Sequence, residues 1–123
     1  QSLKGKRILL ADDDLLNQKI TAHILNKEDV IITVVKNGLE ALEILNTQDF
    51  DVALLDINMP EITGDKLIQQ KAAFKKNTQI PFLALTGNAT QEHRENYLKI
   101  GFTDVIFKPY KFDELIRIIE RCI

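Results

Sequence analysis

Asp51-Val52-Ala53-Leu54-Leu55-Asp56-Ile57-Asn58-Met59-Pro60 is the stretch on which the fold turns. Val52-Ala53-Leu54-Leu55 is continuously apolar rather than alternating. A strand of that kind is covered on both faces, as in a parallel sheet. The run stops at a carboxylate, Asp56, and Pro60 ends regular structure soon after. Four other runs share this form: Ile8-Leu9-Leu10-Ala11, residues 30–35, Phe82-Leu83-Ala84-Leu85 and Val105-Ile106-Phe107. The run at 30–35 contains Thr33 and is expected to be less completely covered.

Helical spacing fills the gaps between the runs. Leu16, Ile20 and Ile24 recur every four residues, and Leu39, Leu42 and Leu45 every three. Leu67, Ile68 and Ala72, then Tyr97 and Ile100, continue more weakly. Leu115, Ile118, Ile119 and Cys122 fit the stripe of an amphipathic helix. Asn37-Gly38 reads as a strand-to-helix turn with Asn37 near the cap, and Gly101 closes the fourth helix. Strand and helix alternating five times over predict an α/β fold, a doubly wound five-stranded parallel sheet with helices on both faces.

The 123 residues suit a single domain, 1–123, open to being a piece excised from a larger protein. Sixteen Lys and Arg against 18 Asp and Glu give a net charge of −2, too little positive charge for a general polyanion binder. Apolar residues at 45% and charged residues at 28% exclude wholesale disorder. One Cys permits neither a disulfide framework nor a Cys-rich zinc site, and it suits a reducing compartment. The apolar runs fall far short of the roughly 18 residues of a membrane span. No apolar stretch follows Gln1-Ser2-Leu3-Lys4, so no secretory leader is expected.

In a doubly wound sheet, chemistry collects at the carboxyl ends of the strands. Asp12-Asp13-Asp14 follow the first run, Asp56-Ile57-Asn58 close the third, Thr86-Gly87-Asn88 the fourth and Lys108-Pro109 the fifth. Crowded carboxylates raise one another's pKa unless a cation lies among them. An all-oxygen set suits a hard divalent ion, Mg²⁺ above all. Asp13 and Asp56 supply carboxylates, with the Asn58 backbone carbonyl in reach. Lys108 offers a point charge to a phosphoryl oxygen, Thr86 a hydrogen bond to another, and the Gly87 N–H a further donor. Metal, cation and donors around a nucleophile are the equipment of phosphoryl transfer. No Ser, Cys or His ends a strand, so Asp56 is the candidate nucleophile, forming an acyl phosphate. Each residue alone has a plainer reading. Asp14 is the expected cap of the next helix, a lone Asp such as Asp56 is commonly a turn residue, and a lone Thr or Lys is commonly structural or solvated. Joint placement on one sheet edge favours the site.

These residues resemble the receiver domain of two-component response regulators, of the chemotaxis-regulator type. The resemblance rests on residues 9–14, residues 51–60 with Gly64, Leu85-Thr86 and Lys108-Pro109-Tyr110, in order and over nearly the whole chain. It implies a flavodoxin-like (βα)5 fold with strand order 2-1-3-4-5. It implies Asp56 as phosphoacceptor, with Mg²⁺ held by Asp13 directly, Asp12 through water, Asp56 and the Asn58 carbonyl. Lys108 pairs with the acceptor and then with the phosphoryl group, and Thr86 moves to hydrogen-bond it. Lys108-Pro109 is expected to be cis. Asn58 and Asn88 match positions that tune dephosphorylation. The resemblance implies a cytoplasmic phosphoprotein fed by a sensor histidine kinase, self-catalysing transfer and autodephosphorylation without being an enzyme in its own right. Family receivers often pair through the face of the fourth helix, fifth strand and fifth helix, so a phosphorylation-linked homodimer is in view. Two departures stand out. Val105 occupies the position of the usual aromatic switch, and Phe102 that of a common Ala.

Asn17-Gln18, residues 37–42 and residues 84–89 resemble receivers of hybrid sensor histidine kinases, which hand phosphate to a histidine phosphotransfer domain. Such a domain would be the cytoplasmic part of a membrane-bound kinase. No basic recognition helix is present, so neither nucleic-acid binding nor membrane contact is expected of this domain. An aspartate-nucleophile phosphatase would want Asp where Asn58 stands. A nucleotide or flavin binder would want a Gly-rich loop where the acidic run stands. A degenerate receiver serving as a phosphorylation-independent docking module is the remaining alternative. His23 and His93 read as surface residues and Cys122 as packing. Met59 is expected to be partly exposed, and Lys71, Lys75 and Lys76 to be solvated. Ile116 and Ile123 either widen the last helix's stripe or form an exposed patch.

Overall fold

The computed structural model describes residues 3–87 and 90–123. The strands are β1 (Arg7–Ala11), β2 (Ile31–Val35), β3 (Val52–Asp56), β4 (Phe82–Thr86) and β5 (Asp104–Phe107). The helices are α1 (Leu15–Asn26), α2 (Gly38–Leu45), α3 (Gly64–Gln69), α4 (Gln91–Ile100) and α5 (Phe112–Cys122), with a short 3₁₀ turn at Lys71–Ala73. All neighbouring strands are parallel and their order is β2-β1-β3-β4-β5. The doubly wound α/β expectation and its strand order therefore both hold, with β3 at the centre.

The continuous apolar strands divide their side chains between two cores. Leu9, Ala11, Ala53, Leu55 and Ala84 face Ala41 and Leu45 of α2, Leu67 and Ile68 of α3, and Tyr97 of α4. Ile8, Leu10, Val52, Leu54, Leu83 and Ile106 face Ile24 and Leu25 of α1 and Leu115, Ile116 and Ile119 of α5. Alternate residues of one strand thus serve opposite layers, which is why no polar residue interrupts β3 or β4. The edge strand β2 leaves Ile31 and Val34 exposed, as its weaker pattern suggested.

Several helix faces differ from the periodic reading. In α1 the buried residues are Thr21, Ile24 and Leu25, while Leu16 is 66% and Ile20 46% exposed. The inward face is turned toward Asn17, Gln18 and Thr21 because the site end of α1 packs on polar groups. These side chains bond the Asp12 carboxylate, the Asp12 carbonyl and the Tyr110 hydroxyl. In α2, Ala41 and Leu45 are buried and Leu39 is exposed. Helix α3 stops at Gln69, which leaves Ala72 exposed in the 3₁₀ turn. Met59 is buried rather than partly exposed, because it joins the α2–α3–α4 core. Ile116 widens the α5 stripe and Ile123 packs on the same core. Asn37 caps α2 through Glu40 N–H, Asp14 caps α1 through Leu16 and Asn17 N–H, and Gly101 closes α4 at φ 132°.

A buried carboxylate away from the strand ends' acidic run ties three of these elements. Asp104, at the start of β5, accepts from Arg94 of α4 at 2.9 Å, Arg121 of α5 at 3.1 Å and its neighbour's Val105 N–H at 2.8 Å. Burial alone would raise its pKa, but the Val105 N–H and the two guanidiniums outweigh burial and hold the carboxyl below the ordinary range.

Candidate functional site

Ladder hydrogen bonds carry on past the strand ends and set the site's backbone. Asp12 N–H donates to Val35 O at 3.1 Å, Ile57 N–H to Leu85 O at 3.0 Å and Lys108 N–H to Thr86 O at 2.8 Å. The ends of β1, β3, β4 and β5 are thereby held in one row. Gly64 opens α3 hard against β3. A Cβ there would lie 2.4 Å from the Asp56 carbonyl oxygen, so only glycine lets α3 start so close to the end of β3.

Asp12, Asp13 and Asp56 each offer a carboxylate oxygen within 4.8 Å of the others. Asp12 and Asp56 are buried and Asp13 is exposed, so the cluster opens to water on one side. Lys108 Nζ lies 3.2 Å from Asp56 Oδ2 and 3.3 Å from Asp12 Oδ2. Asn58 N–H donates to Asp56 Oδ1 at 3.2 Å. Thr86 is buried at the end of β4, and Asn58 and Gly87 are exposed. The Lys108-Pro109 bond is cis, as expected. Asn88 lies outside the described residues.

Burial pushes the Asp56 carboxyl up, the Asp12 charge adds to the rise and Lys108 opposes it; the result is about 6. Burial would lower the Lys108 ammonium, but Asp56 and then Asp12 outweigh it and raise its pKa. Two buried carboxylates thus share one cation, and the set remains short of positive charge. A hard cation with oxygen preference fits that deficit. Asp12 has little room for direct coordination. Its Oδ1 accepts Asp14 N–H at 3.0 Å, and its Oδ2 accepts Asn17 Nδ2 and faces Lys108.

Sequence reasoning left out part of this network. Asn17 also donates to Tyr110 Oη at 3.2 Å, and that hydroxyl pairs with Thr21. Asn17 and Thr21 are one helical turn apart, a polar i, i+4 pair that the apolar periodicity hid. Val105 is buried on β5 in the α4-side core, and Phe102 is buried edge-on to Tyr97 at 84° and 6.2 Å between centroids.

The response regulator receiver domain family matches residues 8–120. An uncharacterized 14.6 kDa protein of Leptolyngbya boryana is 35% identical over 121 residues, covering 98% of this chain and 92% of that protein. Hybrid signal transduction histidine kinase B of Dictyostelium discoideum is 32% identical over 133 residues; the match covers 98% of this chain and 7% of the kinase. Among solved structures, the receiver domain of a sensor histidine kinase from Pseudomonas aeruginosa PAO1, with a magnesium ion in its active-site cleft, has a TM-score of 0.88 at 34% identity. That alignment covers 96% of this chain and 97% of the other.

Proposed function

This chain belongs to the response regulator receiver domain family of two-component signalling, and from that premise we propose that Asp56 accepts a phosphoryl group in a Mg²⁺-dependent phosphorelay. The observation that carries this reading is the Lys108 ammonium between two buried carboxylates, at 3.2 Å from Asp56 and 3.3 Å from Asp12. Asp56 attacks the phosphorus of a kinase phosphohistidine. Its Oδ–P bond forms as the P–N bond breaks, and the imidazole nitrogen leaves with the electron pair and takes a proton from water. Lys108 then balances the charge on the phosphoryl oxygens, and Thr86 donates a hydrogen bond to one of them. Asp13, Asp56 and the Asn58 carbonyl would hold Mg²⁺, with Asp12 acting through water. The ion, when bound, neutralises developing phosphoryl charge.

The phosphodonor docks beside this cleft on α1. Leu15, Leu16 and Ile20 are exposed there, and the helix begins just after the Asp12-Asp13-Asp14 run. The occupant is a histidine-bearing helix of the donor. Transfer onward to a histidine phosphotransfer domain, a place in a hybrid kinase and a cytoplasmic location belong to the same proposal. The likeness to a hybrid kinase supports it, although the chain spans 7% of that protein's length. Among the described residues no helix is long and apolar enough to cross a membrane. Output, including any pairing of copies on phosphorylation, is read on the face of α4, β5 and α5. Val105 supplies no aromatic switch there, and the Arg94–Asp104–Arg121 joint ties the three elements. The intact acidic, Thr and Lys set disfavours a phosphorylation-independent docking module.

Intact mass after incubation with Mg²⁺ and a small acyl-phosphate donor tests the reading. One phosphoryl group is expected on the wild type and none on Asp56→Asn or without metal. A wild type that binds no Mg²⁺ and gains no mass would favour the docking module.

A further inference from the structure

We propose that Asn17 is a positioning residue for Asp12 and thereby sets the Mg²⁺ affinity of the carboxylate site. The inference rests on the Mg²⁺-dependent acceptor reading and assigns a role in it to α1. Asp12 is fully buried, so its carboxylate has no water shell to orient it and relies on protein donors. Asp14 N–H takes Oδ1, while Lys108 and Asn17 converge on Oδ2. A carboxylate only accepts, so it is the amide nitrogen of Asn17 that faces it. The same nitrogen gives its second hydrogen to Tyr110 Oη at 3.2 Å, leaving the tyrosyl hydrogen for Thr21 Oγ1. Gln18 meanwhile donates to the Asp12 carbonyl oxygen.

One turn of α1 therefore grips Asp12 at both side chain and backbone, and Tyr110 buttresses the Asn17 amide from the loop after β5. Asp14 N–H holds only Oδ1 and Lys108 is shared with Asp56, so Asn17 is the donor that Oδ2 does not share with the second carboxylate. Without the Asn17 donor, Oδ2 is left to Lys108, and the carboxylate loses the orientation in which it would support a bound cation. Partners that orient a metal's ligands typically cost 10- to 100-fold in affinity, on the order of one to two decades, when removed.

The test is Mg²⁺ titration by calorimetry on wild type, Asn17→Leu, Asn17→Ala and Thr21→Val, followed by phosphorylation rates from a small acyl-phosphate donor across Mg²⁺ concentrations. Asn17→Leu keeps the side chain's size and removes the donor. Asn17→Ala removes the donor as well and, like Asn17→Leu, leaves the charge of the carboxylate cluster unchanged. Both are expected to weaken Mg²⁺ by about tenfold. Their phosphorylation deficit should disappear when Mg²⁺ is raised in proportion, which loss of packing would not produce. Thr21→Val breaks the outer contact on the same helix face and should change Mg²⁺ affinity by less than about twofold, far below the expected effect of removing the Asn17 donor. Wild-type Mg²⁺ affinity in both Asn17 variants overturns the proposal, as does a deficit that excess Mg²⁺ leaves in place. An equal loss in Thr21→Val overturns it too. A wild type that neither binds Mg²⁺ nor gains a phosphoryl group instead sinks the acceptor reading itself.

Discussion

Asp56 carries its charge where burial opposes one, and that opposition is part of its chemistry. An ordinary Asp titrates near 3.8, whereas folded Asp56 titrates at about 6. The folded state therefore holds this proton more tightly than the unfolded chain does. Its contribution to stability is present below about pH 4 and is lost as pH rises through about 6, where the carboxylate must be carried charged. Asp56→Asn stays neutral throughout. In metal-free buffer it is expected to be more stable than wild type by about 1–2 kcal/mol at pH 8, with the gain fading toward pH 4. Urea unfolding at the two pH values checks this. Asp104 has the opposite sign. Its carboxyl is held low, so its contribution is present above the ordinary carboxylate range and is lost as acid protonates it. Both are Asp residues beside an apolar run, and the sequence distinguishes them only in part. Asp56 ends a strand and belongs to a recognisable set. The partners of Asp104 lie 10 and 17 residues away on two helices, with no local signal linking them.

Helix α1 shows what periodicity reports and what it misses. Leu16, Ile20 and Ile24 suggest one inward apolar stripe, yet the structure turns Leu16 and Ile20 outward. Apolar spacing marks a face that wants cover without saying whether the cover comes from this chain. Here the inward positions near the site belong to Asn17, Gln18 and Thr21, because Asp12 and Tyr110 need donors and acceptors there. The outward leucines and isoleucine are then available to a phosphodonor. Replacing Leu16 and Ile20 by Asp removes only exposed side chains, so stability should shift by no more than about 0.5 kcal/mol per site. Phosphorylation by the acyl-phosphate donor should be unchanged, while transfer from a histidine phosphotransfer protein should fall by more than about tenfold, about 1.4 kcal/mol of docking energy. Parallel rate measurements with the two donors separate these outcomes.

At the scale of the molecule, the ends of β1, β3, β4 and β5 act as one device. Three carboxylates gather on an edge that the fold holds rigid from beneath, and the resulting repulsion is a standing cost that a bound cation removes. Mg²⁺ should therefore stabilise the fold. At about ten times its dissociation constant it adds about 1.4 kcal/mol, which corresponds to about 3–6 °C in Tm for a domain of this size. A thermal scan with Mg²⁺, with chelator and on Asp13→Asn checks it; the variant is expected to lose most of the shift.

Much of this architecture was legible in the residues alone. Unbroken apolar runs specify strands covered on both faces, five such runs separated by helical spacing specify a doubly wound sheet, and the groups that follow four of them mark the candidate site. Those features are local, and local chemistry dictates them. Only the tertiary structure decided which face of α1 turns inward, that Met59 and Phe102 are core residues, and that Asn17 reaches the site with Tyr110 and then Thr21 behind it. It alone paired Asp104 with two arginines. Each of these depends on what a side chain meets across a gap in sequence, where one buried polar group recruits its partners from whichever element the fold brings beside it.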